Sequence, residues 1–122
     1  DIELTLYEDH VVKRPLRVTL ELPTDPAGRY RVILAAVQSN LGVWPQALPL
    51  PEVFLLEENN SRNVTLHFRF EESIAVSVIE EVRLYNSIIA TLQANGANQV
   101  HLLVNDNAET FLGHLSLGNA LN

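Results

Sequence analysis

Apolar and polar residues alternate in two runs near the start of the chain. Ile2, Leu4 and Leu6 alternate with Glu3, Thr5 and Tyr7; Leu16, Val18, Leu20 and Leu22 alternate with Arg17, Thr19 and Glu21. A period of two marks a strand with one buried face, so two strands joined by a charged loop are expected. Pro15 stands just ahead of the second, where its missing N–H costs no ladder bond. Thr24-Asp25-Pro26 then supplies an N-cap carboxylate and a proline suited to the first helical position. Tyr30, Ile33, Leu34, Val37 and Leu41 follow on one helical stripe, with Asn40-Leu41-Gly42 as the expected stop. Val32, Ala35 and Ala36 lie on the far side of this helix and are unusually apolar for a face in water.

From Gly42 to Pro51 three prolines surround Trp44, which forbids helix and predicts a stiff extended connector. Glu52 to Glu57 and Val64 to Phe70 bracket the turn-rich segment Glu58-Asn59-Asn60-Ser61-Arg62 and read as a hairpin, with Val64, Leu66, Phe68 and Phe70 on the core face. The longest helix is expected from Ile74 to Asn95. Its apolar stripe is read as Ile74, Val78, Val82, Tyr85, Ile89 and Leu92, with Glu80, Arg83, Ser87 and Thr91 facing water, so truncating Ile89 should cost far more than truncating Arg83. Val100, Leu102 and Val104 form a further strand, Asn105-Asp106-Asn107 a tight turn, and Glu109 to Leu117 a last strand broken by Gly113. The order β-β-α-β-β-α-β-β predicts one α+β domain over residues 1–122, with two helices on one face of a mixed or antiparallel sheet.

Composition narrows the function classes. With 47% apolar and 19% charged residues the chain is not disordered, and 122 residues suit one core. A formal charge of -7 disfavours nucleic acid. Lys13, Arg14, Arg17, Arg29 and Arg31 hold five of the eight positive charges, and beyond Arg83 only Asp106 and Glu109 are charged, so the last third reads as core or contact surface. No cysteine is present, which excludes disulfides, thiolate zinc sites and cysteine nucleophiles. No apolar run approaches the roughly 18 residues of a membrane helix. A start at Asp1 reads as a trimmed or mature chain from which no targeting segment can be read, so the compartment stays open.

No chemistry-bearing constellation emerges. His10, His67, His101 and His114 lie in four segments without metal-ligand spacing, so no metal site is expected. The acid pairs Glu57-Glu58, Glu71-Glu72 and Glu80-Glu81 point apart on a strand or a helix and read as solvated charges. There is no nucleophile elbow, no phosphate-cradling glycine cluster and no complete calcium loop at Asn105. Asn59-Asn60-Ser61 and Asn63-Val64-Thr65 match the glycosylation tripeptide, but read as polar hairpin residues. Neither catalytic residues nor a cofactor are therefore expected. Trp44, in its proline-stiffened loop, is read either as a cap on the core or as a partner anchor.

The stretch from Tyr85 to Leu121 resembles the closing half of the GerM domain, found in bacterial sporulation and spore-germination proteins and in envelope lipoproteins. The matching residues are Ile88, Ile89, Thr91-Leu92, Val100, Leu102, Val104, Asn105-Asp106 and Leu112-Gly113-His114-Leu115-Ser116-Leu117. Leu4 to Tyr7, Leu16 to Val18, Tyr30 to Leu41, Trp44 to Pro51 and Val64 to Phe70 match more loosely. His67-Phe68-Arg69-Phe70 and Asn107 depart from the family pattern. The resemblance implies a non-catalytic extracytoplasmic module, similar in fold to ring-building domains, which meets protein partners or its own copies in the cell envelope. Membrane attachment would come only through an anchor outside this sequence. The surface expected to meet a partner combines Trp44 with Val32, Ala35 and Ala36. The alternative is a sensor binding a small ligand, such as a cell-wall fragment or germinant, between the proline connector and the sheet.

Overall fold

In the computed structural model, which describes residues 1–118, five strands divide between two sheets and two helices lie between them in sequence. The hairpin of β1 (Ile2–Tyr7) and β2 (Lys13–Val18) is one sheet. The second has the order β3-β4-β5, with β3 (Glu52–Glu58) antiparallel to β4 (Ser61–Phe68) and β4 parallel to β5 (Gln99–Val104). Helix α1 (Pro26–Asn40) precedes β3, and α2 (Val78–Ala94) is the crossover from β4 to β5. The fold is thus α+β with a mixed sheet, as the patterning predicts. Its inner face is lined by Val53, Val64, Leu66, Phe68, Val100 and Leu102, all buried beside Ile33, Leu34 and Val37 of α1 and Leu84, Ile88 and Leu92 of α2.

Local chemistry sets the boundaries. Asp25 caps α1 through a bond from Gly28 N to Oδ2 (2.8 Å), and every residue of the expected stripe from Tyr30 to Leu41 is buried. Asn59 and Asn60 both have positive φ (50° and 64°), the requirement of a two-residue hairpin turn, so the β3–β4 loop is shorter than the sequence suggested. Asn105 and Asp106 repeat this arrangement (φ 50° and 70°) between the bridged pair Val104 and Asn107.

Helix α2 differs most from expectation. It starts at Val78 rather than Ile74, because Ser77 and Glu80 close a capping box: Glu80 N donates to Ser77 Oγ (3.1 Å) and Ser77 N to Glu80 Oε1 (2.9 Å). Its buried side is Glu81, Leu84, Ser87, Ile88, Thr91 and Leu92; Val78 is exposed and Tyr85 and Ile89 are half-buried. The residues read as solvent-facing bind the free edge of β1. Arg83 Nε donates to Tyr7 O (3.0 Å), Tyr7 N to Ser87 Oγ (2.8 Å) and Thr5 N to Thr91 Oγ1 (2.9 Å). Thr91 Oγ1 donates back to Thr5 O (3.1 Å), and Asn95 Nδ2 to Glu3 O (3.0 Å). Pro15 is inside β2, opposite Thr5; because Thr91 takes both Thr5 backbone groups, no ladder bond is lost there.

Residues 109–117 do not form the expected strand. They make a loop with one bridge, Thr110 to Ser116, and bonds from Phe111 N to Leu115 O (2.9 Å) and Leu117 N to Glu109 O (2.8 Å). Phe111, Leu112 and Leu117 are buried, and Phe111 stacks near Phe68 (5.4 Å between centroids) and Tyr85 (6.2 Å), whose hydroxyl is pushed above its ordinary pKa by burial. Leu121, the last position of the family resemblance, lies outside the described residues.

Two predictions follow from α2. Thr91→Val keeps the volume but leaves the Thr5 amide and carbonyl without a partner, which should cost about 1–3 kcal/mol in chemical denaturation, while Thr91→Ser retains most of the stability. Hydrogen bonds from Ser77 hold the Glu80 carboxyl below its ordinary pKa, so its contribution is present above the unfolded value and is lost as pH falls through the lower folded one. Acid titration of amide exchange in the first turn of α2 should show that loss, and Glu80→Gln should remove the pH dependence.

Candidate functional site

The surface expected from the sequence is only partly at the surface. Trp44 is buried: its ring faces Phe68 (6.4 Å between centroids) and its Nε1–H donates to Leu48 O (2.8 Å). Ala36 is buried as well, because α1 turns it toward its neighbours, while Val32 and Ala35 are half-buried. Trp44 and Ala36 are therefore withdrawn from a partner surface, and the indole lies between the connector and Phe68 of the sheet.

Polar groups instead hold the fold together. Glu81 is fully buried, and its carboxylate accepts from Leu112 N (3.1 Å), His114 N (3.2 Å) and Leu115 N (2.7 Å). Such convergence satisfies a charge that burial would otherwise make costly. Gly113, at φ +104°, turns the chain between these amides. The Glu80-Glu81 pair thus separates into an exposed cap and a buried anchor, and the signal was legible: Glu81 lies on the same helical stripe as Leu84 and Ile88.

A second cluster lies at one end of β4. His67 is buried, with the Asp106 amide (2.9 Å) and carboxylate (3.3 Å) at Nε2 and Arg69 at Nδ1 (3.2 Å). Arg69 also binds Glu52 Oε1 (2.8 Å) and Asp106, bonds that hold its guanidinium above its ordinary pKa. At the opposite end Arg62 binds Glu57 through Nε (2.9 Å) and Nη2 (2.8 Å) and reaches Tyr30 Oη (3.4 Å). Among the described residues no three His, Asp or Glu side chains group to hold a metal. His101 is half-buried with Nδ1 unbonded, His114 Nε2 bonds Val76 O (3.0 Å), and His10 is exposed.

Two concave regions among the described residues offer no free acid–base pair. A groove of about 370 Å³ between Phe70, Ile74, Val104 and Phe111 has Glu109 as its one titratable lining residue, and the basin at the β3–β4 turn holds Glu57 already locked to Arg62. Exposed apolar side chains are more distinctive. Phe54 (52% exposed) and Leu56 (55%) stand on the outer face of β3. Val11 (66%) and Val12 (51%) sit in the β1–β2 loop, where Asp9 Oδ1 accepts from both their amides. Val78 (52%) and Ile79 (47%) open α2. Because α2 runs antiparallel to β1, from Asn95 beside Glu3 to Arg83 beside Tyr7, the last four share one end of the molecule. The outer strip of β3 and this end are the candidate contact surfaces.

Comparison with family models, with curated proteins and with solved structures gives no match.

Glu81→Gln places an NH₂ among converging N–H donors and should cost about 2–3 kcal/mol. Amide exchange should quicken at Leu112, His114 and Leu115, while Thr5 and Tyr7 keep their protection.

Proposed function

We propose that the chain is a non-catalytic protein–protein assembly module, working in the bacterial cell envelope as its resemblance to the GerM domain of sporulation and germination proteins implies. One observation carries the reading: Phe54 and Leu56 remain about half exposed on the face of a sheet whose other face is covered by both helices. Apolar side chains paired on a rigid strand are the material of a contact surface, and the exposed valines and isoleucine at the β1–β2 end offer a second one. The polar clusters support the same reading, since Glu81, Arg69 and Arg62 are each engaged by groups of the protein itself.

Photo-crosslinking residues placed at positions 54, 12 and 79 in the protein in its native envelope test this. Protein adducts should form at these positions and be at least several-fold scarcer at the exposed Arg29. Equal labelling at all four positions, or no adduct at any, overturns the proposal.

A further inference from the structure

We infer that the open edge of β3 pairs antiparallel with β3 of a second copy of this chain, about a two-fold axis at Leu56. The inference deepens the assembly reading and rests on it for the claim that the outer face of β3 is a contact surface.

Backbone directions show which edge is open. Arg62 O accepts from Asn98 N (2.8 Å) and Phe68 O from Asn105 N (2.9 Å), so the even-numbered residues of β4 bond toward β5. Its odd-numbered residues bond to β3. The register from Glu52 with His67 to Glu58 with Ser61 then leaves Val53, Leu55 and Glu57 with backbone N–H and C=O directed away from the sheet. None of the three has a backbone partner there among the described residues.

The other edges are closed or blunted. Side chains of α2 occupy that of β1. On β2, Lys13 and Arg17 flank Pro15, which stands at an edge-facing position without an N–H. On β5, Val104 is closed by Asn107 while Val100 and Leu102 are buried. Edge strands usually carry such protection, and the stretch Val-Phe-Leu-Leu of β3 has neither proline nor lysine.

Symmetry fixes the register. Val53 is buried, so the accessible stretch runs from Phe54 to Glu58 and its midpoint is Leu56. Antiparallel pairing there sets Leu56 against Leu56 of the second copy, Leu55 against Glu57, and Phe54 against Glu58. Leu55 and Glu57 both direct their backbones outward, so these pairs exchange hydrogen bonds; the Leu56 pair is non-hydrogen-bonded, where side chains approach most closely. Phe54 lies diagonal to the opposing Leu56, and the four apolar side chains cover one another. The charges also fit: no carboxylate stands directly opposite another, Glu57, which lies diagonal to its own copy, is paired with Arg62, and Glu52 with Arg69. The next pair would fall on Asn59, whose positive φ ends the strand. The buried area, on the order of a few hundred Å², is well below the ~1,200 Å² of a stable interface, so the dimer is weak and reversible.

Sedimentation equilibrium from micromolar to millimolar protein should show monomer and dimer. Salt should tighten the association, because two chains of charge -7 repel each other. Leu56→Lys should weaken it at least tenfold with an unchanged circular dichroism spectrum. Leu56→Cys introduces a lone thiol into a chain without cysteine, at a pair whose Cα atoms would lie ~4.5 Å apart, within disulfide range. Oxidation should link it at least tenfold faster than Glu58→Cys, whose two sulfurs would lie at opposite ends of the paired stretch. A monomer at every concentration, or equal linking of both cysteine variants, overturns the inference. So does association that weakens with salt and grows beyond two copies, which would assign the basic β2 edge as occupant. If photo-adducts still form at position 54 in a monomeric chain, the dimer falls and the broader reading stands.

Discussion

The structure depends on how the free edge of β1 is satisfied. An isolated two-stranded hairpin is marginal in water, and its outer backbone groups need partners once Leu4 and Leu6 are buried. Helix α2 supplies them from Arg83, Ser87, Thr91 and Asn95, spaced one helical turn apart. A turn rises about 5.4 Å and two strand residues about 6.8 Å, so the two repeats stay in step over only a few turns. Three pairings at Tyr7, Thr5 and Glu3 fall within that range. The helix therefore serves as a third partner in the hairpin sheet while its Leu84, Ile88 and Leu92 pack against the other sheet.

The second anchor is Glu81, which draws the loop from Phe111 to Leu115 onto the same helix. Once the three amides are bound, Phe111 is held between Phe68 and Tyr85 and closes the core beside β5. The work of the segment Leu112-Gly113-His114-Leu115 is structural: the backbone meets a buried carboxylate while leucines fill the core.

Most elements were legible in the sequence, and the misread ones share a cause. Alternation in β1, β4 and β5, the Asp25-Pro26 start and both turns are local signals, and each appears where expected. The phase of α2 was read from apolar residues alone. Ser87 and Thr91 are buried because a strand edge needs hydroxyls, a demand that arises from tertiary pairing and leaves no trace in hydropathy. Residues 109–117 read as a short strand broken by Gly113, yet the amides at 112, 114 and 115 turn toward Glu81 instead of a neighbouring strand. For the contact surface, Trp44 drew attention by its type, whereas Phe54 and Leu56 were hidden in a continuous apolar run that shows no face until the register of β3 is known.

That register explains why one edge is left uncovered. Helix α1 contributes Ile33, Leu34 and Val37 beneath the sheet, and α2 divides its two sides between the sheet and β1, so neither helix is available for the outer face. The proline connector is held to the core by Trp44 and enters β3 directly. What protects β3 is charge at its ends: Glu52 before the apolar run, Glu57 and Glu58 after it. Acids in these positions discourage open-ended stacking while leaving the centre of the strand free to pair. An edge guarded at its ends and apolar in its middle favours a short, symmetric contact over a growing fibre.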